Sequence, residues 1–196
     1  MKPSVVVLDD FLANPDEVRQ FALNQEFSVA GNYPGTRTRS FATEELRNYL
    51  DSKLSSLTGK ITYWPTDPKD YNGSFQFATS RDRTWIHVDS YNNWAAVLYL
   101  TPDAPLTAGT AIYRHKKHNI IRNDVANSPY NKHINQELAD HSQDYTKWDV
   151  VDRIGNVYNR LILFDSYQYH ASVDYFGTNK YDGRLFQVFF FNTDLK

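Results

Sequence analysis

The sequence has no cysteine and one methionine in 196 residues. Disulfides, thiolate nucleophiles, iron–sulfur clusters and cysteine-ligated zinc are excluded, so any metal must be held by His, Asp, Glu or backbone oxygen. No apolar run approaches the ~18 residues of a membrane helix. The opening MKPSVVVLDD has four apolar residues between Ser4 and two Asp, too few for the apolar stretch of a signal peptide. A reducing, cytoplasmic setting is the default expectation. Charge of one sign is also missing: 21 basic and 23 acidic residues leave a net −2. That balance argues against nucleic acid or an anionic membrane as partner.

What the chain does have is rings. Four Trp, fourteen Tyr and twelve Phe, within 41% apolar residues, are enough for a stiff, ring-packed core. The length suits one domain over 1–196. Two helices are predicted near the start. Asn14-Pro15-Asp16-Glu17 combines an N-cap, a proline at the first helical position and early acids, and Val18, Phe21 and Ala22 follow at helical spacing. Thr43 caps a second helix running towards Leu57, and Gly59 ends it. From Lys60 the texture turns to β. Candidate strands are Ile61–Trp64, Ser74–Thr79, Trp85–Val88, Trp94–Leu100, Thr110–Tyr113, Leu161–Phe164 and Leu185–Phe191, each bounded by Gly, Pro, Asn or Asp. The stretch 115–159 is polar and weakly periodic, with two candidate short helices around His133–His141 and Tyr145–Val151. It is expected as an inserted lid or wall over one mouth of the β-structure.

One constellation carries chemistry. His87-Val88-Asp89 is the chain's only His-x-Asp, and on a strand residues i and i+2 project from one face. Alone the pair is a weak signal. His170 follows the apolar strand LILF, and Arg184 opens the apolar run LFQVFFF. Two imidazoles and one carboxylate on one face leave three open positions on an octahedral Fe(II). An arginine starting so apolar a strand calls for an anion, and its planar fork suits a carboxylate.

His87-x-Asp89, then VLYL, then GTAIYRH, then His170, then Gly183-Arg184 resemble, in that order, the Fe(II)/2-oxoglutarate-dependent dioxygenases. The prolyl-4-hydroxylase-like branch is the nearest. The resemblance covers 74–192, apart from 115–159, and the opening VVVLDDFLANPDEVRQFAL is similar to the superfamily's lead-in. It implies an α+β, mainly β fold: a double-stranded β-helix (jelly-roll, cupin-like) barrel with N-terminal supporting helices. It also implies that His87, Asp89 and His170 are the iron ligands and the catalytic centre. Arg184 and Tyr99 would then hold 2-oxoglutarate, with O2 as co-reactant and ascorbate as a supporting reductant. The implied reaction is hydroxylation of a C–H bond, on a peptide or protein side chain (prolyl among the candidates) or on a small molecule, releasing succinate and CO2. Two departures bear on cosubstrate affinity. A tyrosine common before the first ligand is Phe77 here, leaving Gln76 or Thr79 to substitute, and Val188 stands where relatives often carry Thr or Ser.

Other residues carry blander expectations. Thr110 and Tyr113 have no catalytic role. His115-Lys116-Lys117-His118 is a solvated loop, and Arg37, Arg39, Arg81 and Arg83 belong to the surface. Trp85, Tyr91 and Trp94 belong to the core, and Asp165 or Asp174 could orient His170. Two rival functions stay open: a catalytically silent barrel used as a binding or structural module, and a cupin-like metalloenzyme that does not use 2-oxoglutarate. The first leaves four retained residues unexplained; the second leaves Arg184 without a role.

Overall fold

A computed structural model describes residues 3–89, 91–125 and 127–195. In chain order the elements are β1 (Val5–Leu8), α1 (Pro15–Leu23), β2 (Thr36–Arg37), α2 (Glu44–Thr58), β3 (Ile61–Tyr63), β4 (Phe75–Ala78), β5 (Trp94–Tyr99), β6 (Thr110–His115), α3 (Lys132–Asp140), β7 (Trp148–Ile154), β8 (Leu161–Asp165), β9 (His170–Ser172) and β10 (Arg184–Thr193). The strands form two antiparallel sheets. The major one runs β1-β8-β5-β10-β4-β2, with β3 also on β10, and the minor one runs β7-β6-β9. This is the expected double-stranded β-helix with helices at its N-terminal end.

The two early helices form for the predicted reasons, with one difference. The Thr43 side chain accepts from Leu46 N, and Gly59 ends α2 at a φ of +82°. Asn14 occupies the cap position of α1 but makes no side-chain cap bond. Alternation along β5 decides what each helix buries. Trp94, Ala96 and Leu98 meet Ala22, Leu50 and Leu54 in a core outside the major sheet. Ala95 and Tyr99 point the other way and pack with Ile112, Ile154, Phe164, Phe186 and Val188 between the sheets. A third cluster covers the minor sheet with Ala111, Tyr113, Leu138 and Trp148. No helix among the described residues is long and apolar enough to cross a membrane.

Two sequence expectations need correction. Trp85–Val88 is not a strand; only His87 pairs, through an isolated bridge to His170. Tyr145–Val151 is not a helix: a 3-10 turn at Tyr145–Lys147 leads directly into β7. The stretch 115–159 therefore ends inside the minor sheet, with β7 paired along β6 from Thr110 to His115. Leu138 of α3 and Trp148 anchor the stretch in a core cluster. None of its described residues lines the large cavity between the sheets.

Candidate metal centre

His87 and His170 exchange both backbone hydrogen bonds, His87 N to His170 O at 3.0 Å and the reverse at 2.9 Å. Asp89 N donates to Ser166 O at 2.8 Å. The chain on either side of Val88 is thus pinned to the turn before β9, which brings His87 and His170, far apart in the chain, into ring contact at 4.5 Å between centroids. The side chains converge: His170 Nε2 lies 3.3 Å and His87 Nε2 3.6 Å from the Asp89 carboxylate. One ligand atom from each of the three falls within 4.8 Å of the others.

The tautomers follow from the partners. His87 Nδ1 lies 2.9 Å from Trp85 O and His170 Nδ1 2.9 Å from Gln168 O. A carbonyl oxygen can only accept, so each Nδ1 carries a hydrogen, and Nε2 is the nitrogen that each ring turns towards Asp89. This is the arrangement that orients metal-binding imidazoles. Burial, then the neighbouring His170, pushes the His87 pKa down, favouring the neutral form that a metal requires. For Asp89, burial pulls upward, but His170, His87 and Arg37 outweigh it and hold the carboxyl at about 2. Cis ligands ~2.1 Å from an octahedral ion lie about 3 Å apart, close to the spacing seen. The donor set therefore fits a small divalent cation of the Fe(II) type with positions to spare.

The triad opens into a cavity of about 540 Å³ between the sheets. Phe186, Val188 and Phe190 of β10 face it, so Val188 is a cavity residue as expected of its position. Arg184 is two residues further back on the same strand face and is wholly buried. Its Nε donates to Ala108 O at 3.1 Å, and its Nη2 makes only long contacts, 3.4 Å to Gly109 O and 3.5 Å to Thr110 Oγ1. Among the described residues, Nη1 is buried with no hydrogen-bond partner. Tyr99 lies beside it, the ring 5.3 Å from the guanidinium carbon, and its hydroxyl pairs with Thr110 Oγ1 at 2.9 Å. Burial raises the Tyr99 pKa against the pull of Arg184, so the phenol stays neutral and able to donate.

Thr110 thus links Tyr99 and Arg184 and lines the cavity, a part that sequence reasoning denied it. The position of Phe77 also resolves. Phe77 faces outward onto Phe27, ring centroids 5.0 Å apart, while Gln76 lines the cavity and Thr79 is tied to Asp82. Asp165 and Asp174 bond Arg122 and Arg153; the group orienting His170 is Gln168 O. Of the four scattered arginines, Arg37 lines the cavity, as do Trp85 and Tyr91, whereas Trp94 is core. His115 is buried, with His118 and His141 stacked on either side at 5.1 and 5.2 Å; it does not sit in a solvated loop.

Fold and site together define a double-stranded β-helix protein with a two-histidine, one-carboxylate pocket. By sequence the chain belongs to DUF6445, a family of unknown function, over residues 1–185. No curated protein matches it in sequence. Among solved structures it is similar to HygX from Streptomyces hygroscopicus, with nickel, 2-oxoglutarate and hygromycin B bound. The identity is 11%, the TM-score 0.63, and the match covers 97% of this chain and 83% of that one. It is also similar to a prolyl hydroxylase from Trichoplax adhaerens in complex with a hypoxia inducible factor oxygen degradation domain peptide fragment, at 14% identity and TM-score 0.52, covering 96% and 83%. At such identities the likeness establishes a shared fold.

Proposed function

We propose that the chain is one oxygenase domain that hydroxylates a C–H bond using Fe(II), 2-oxoglutarate and O2, releasing succinate and CO2. The observation that carries this reading is the His87–Asp89–His170 triad on a cavity whose wall residue Thr110 adjoins a wholly buried guanidinium, that of Arg184, with an Nη1 unused among the described residues. When bound, the metal and cosubstrate supply the oxidising chemistry. The chain supplies everything else. Three ligands leave three positions open. Arg184 is the group for the distal carboxylate: an arginine fork pairs a planar anion bidentately, and a buried guanidinium with an unused nitrogen is costly until it does. Tyr99 and Thr110 add hydroxyls beside that anion. Phe164, Phe186, Val188 and Phe190 give the cavity an apolar wall that limits water at the reacting centre. The substrate is a peptide or protein side chain, prolyl included, or a small molecule, and the absence of cysteine suits a cytoplasmic enzyme. Of the two similar solved structures, one holds hygromycin B and the other a peptide fragment, which supports both substrate classes.

The test is incubation with Fe(II), ascorbate and 2-oxoglutarate, with succinate measured against protein lacking the triad (Asp89→Ala). Succinate release that depends on Asp89 supports the proposal. Metal binding without any 2-oxoglutarate binding favours the cupin-like alternative, and binding of neither favours a silent module.

A further inference from the structure

The cavity wall carries a guanidinium, that of Arg37, which the proposed chemistry does not use. β2 is a two-residue edge strand, and its Arg37 pairs in register with Gln76, which pairs with Phe186, which pairs with Tyr99. The four side chains form one row across the inner face of the major sheet. Arg37 therefore enters the same cavity as the triad, at the sheet edge, and is half-buried where Arg184 is wholly buried.

Its placement is built. The guanidinium carbon sits 3.8 Å from the centre of the Tyr33 ring and 5.1 Å from that of Tyr71. The two rings meet edge to face at 5.3 Å. Tyr33 is held by its hydroxyl donating to Val29 O at 2.6 Å. Arg37 Nε donates to Gln76 Oε1 at 2.5 Å, and Gln76 Nε2 donates to Pro34 O at 2.5 Å. The turn between Tyr33 and Arg37 closes on Gly35, at a φ of +73°, where a Cβ would lie 2.0 Å from Phe77 O. Only glycine fits there.

This framework fixes Nε and the ring plane and leaves the outer fork free. Among the described residues Arg37 forms no ion pair. Burial lowers its pKa to about 10, which still leaves it charged at neutral pH. The acid whose charge reaches it is Asp89, which the proposed metal would claim. Lys69 and Asp70 on the cavity wall offset each other. A held, desolvated cation with its fork turned to an open cavity is half of a carboxylate site.

We propose that Arg37, clamped by Tyr33 and Tyr71, binds a carboxylate of the prime substrate and so orients the substrate over the triad. The inference rests on the oxygenase reading and names the substrate class within it: a carboxylic acid.

The probes are N-acetyl amino acids and their primary amides, pairs that differ only in charge, N-acetylproline among them. Binding is measured calorimetrically on the wild-type protein, with and without Mn(II) and 2-oxoglutarate. The expected result is that at least one acid binds ten-fold or more tighter than its amide, the minimum for a charge-assisted bidentate contact. Arg37→Met is expected to abolish that preference while binding Mn(II) and 2-oxoglutarate as the wild type does; Arg37→Lys is expected to restore it in part. Peptides amidated at the C-terminus and carrying Asp or Glu form a further arm: an acid preference there places the carboxylate on a peptide side chain, and its restriction to the acetyl amino acids places it on a small acid. Three results would overturn the inference: equal binding of every acid and amide, an acid preference that survives Arg37→Met, or loss of 2-oxoglutarate binding in Arg37→Met. Failure of the wild type to bind Mn(II) and 2-oxoglutarate would strike the oxygenase reading instead, while the acid–amide comparison on the metal-free protein still decides the role of Arg37.

Discussion

Replacing Arg184 by Met separates a ligand-binding arginine from a structural one. The guanidinium is wholly buried, with one good hydrogen bond, to Ala108 O at 3.1 Å, two long contacts and an unpartnered Nη1. If it exists to hold an anion, the free protein carries a buried cation without its counter-charge. A methionine of similar length is then tolerated, because exchanging imperfectly compensated buried charge for apolar volume is often neutral or stabilising by ~1–4 kcal/mol. The ligand-bound protein behaves differently. Two charge-assisted hydrogen bonds at about 1.5–3 kcal/mol each put the loss in 2-oxoglutarate affinity at roughly 100-fold or more.

The assay is thermal unfolding with Mn(II) present and the ligand at about 100 times the wild-type Kd. That concentration stabilises the wild type by ~2.7 kcal/mol. For a domain of this size it corresponds to a rise of about 5–11 °C in Tm. In Arg184→Met the same concentration reaches no more than about one Kd, and the rise falls to roughly 1 °C. The Tm of the ligand-free variant should match or exceed the wild type's. The reasoning is refuted by the reverse pattern, in which the ligand-free Tm drops by many degrees and the ligand-induced rise persists. Arg184 would then be holding the 108–110 turn and nothing else.

Three further outcomes are expected. Asp89→Ala and His170→Ala should weaken Mn(II) binding by more than the ~10–100-fold that loss of a supporting group costs, read by paramagnetic resonance titration, and unchanged affinity in both would remove the metal centre. Phe189, 1% exposed in the core between the major sheet and the helices, should cost ~3–5 kcal/mol on replacement by Ala, read as a lower urea midpoint; a cost under about 1 kcal/mol would show that this core is loosely packed. Burial, then His118 and His141, lowers the pKa of His115, whose Nδ1 is unpartnered. A base held neutral in the fold contributes stability that is fully present above its unfolded value of ~6.5 and is lost as pH falls below it. Tm should therefore decline from pH 7 towards pH 5, and His115→Gln should flatten the decline; an equal slope in the variant would assign it elsewhere.

Legibility in the sequence tracked how local the determinants were. α2 was readable because its cap, Thr43, and its stop, Gly59, adjoin it. The His-x-Asp pair was readable as a motif and not through strand geometry, since His87 makes only an isolated bridge to His170, and the burial of Arg184 was readable because it opens the apolar run LFQVFFF. β1, β2, β7 and β9 were not identified. Each is short, or exposed like the polar middle of β7, and owes its extended form to a partner far along the chain: β8, β4, or β6 for the last two. Arg37 was hidden for the same reason. Nothing in the string TRTRS distinguishes Arg37 from Arg39; one faces the cavity and the other lies exposed over Phe41.

Phe77 and Gln76 show how such a site must be read. Counting residues back from His87 lands on Phe77, whose ring cannot donate a hydrogen bond, and that suggests a missing cosubstrate contact. Counting across the sheet gives a different answer. Arg37, Gln76, Phe186 and Tyr99 share one row of the register, and side chains alternate faces along each strand, so Gln76 faces the cavity and Phe77 must face away. A shift of one residue exchanges the two faces of β4, which makes an offset along the chain a poor guide to which side chain reaches a site. The contacts of Gln76 then define what it does. Its amide oxygen accepts from Arg37 Nε, and its amide nitrogen is spent on Pro34 O. It aims the second guanidinium and is not a substitute for the missing tyrosine. Arg184 and Tyr99 contact each other and Thr110, which lines the cavity, whereas Arg37 stands at the sheet edge, where Gln76 holds its Nε.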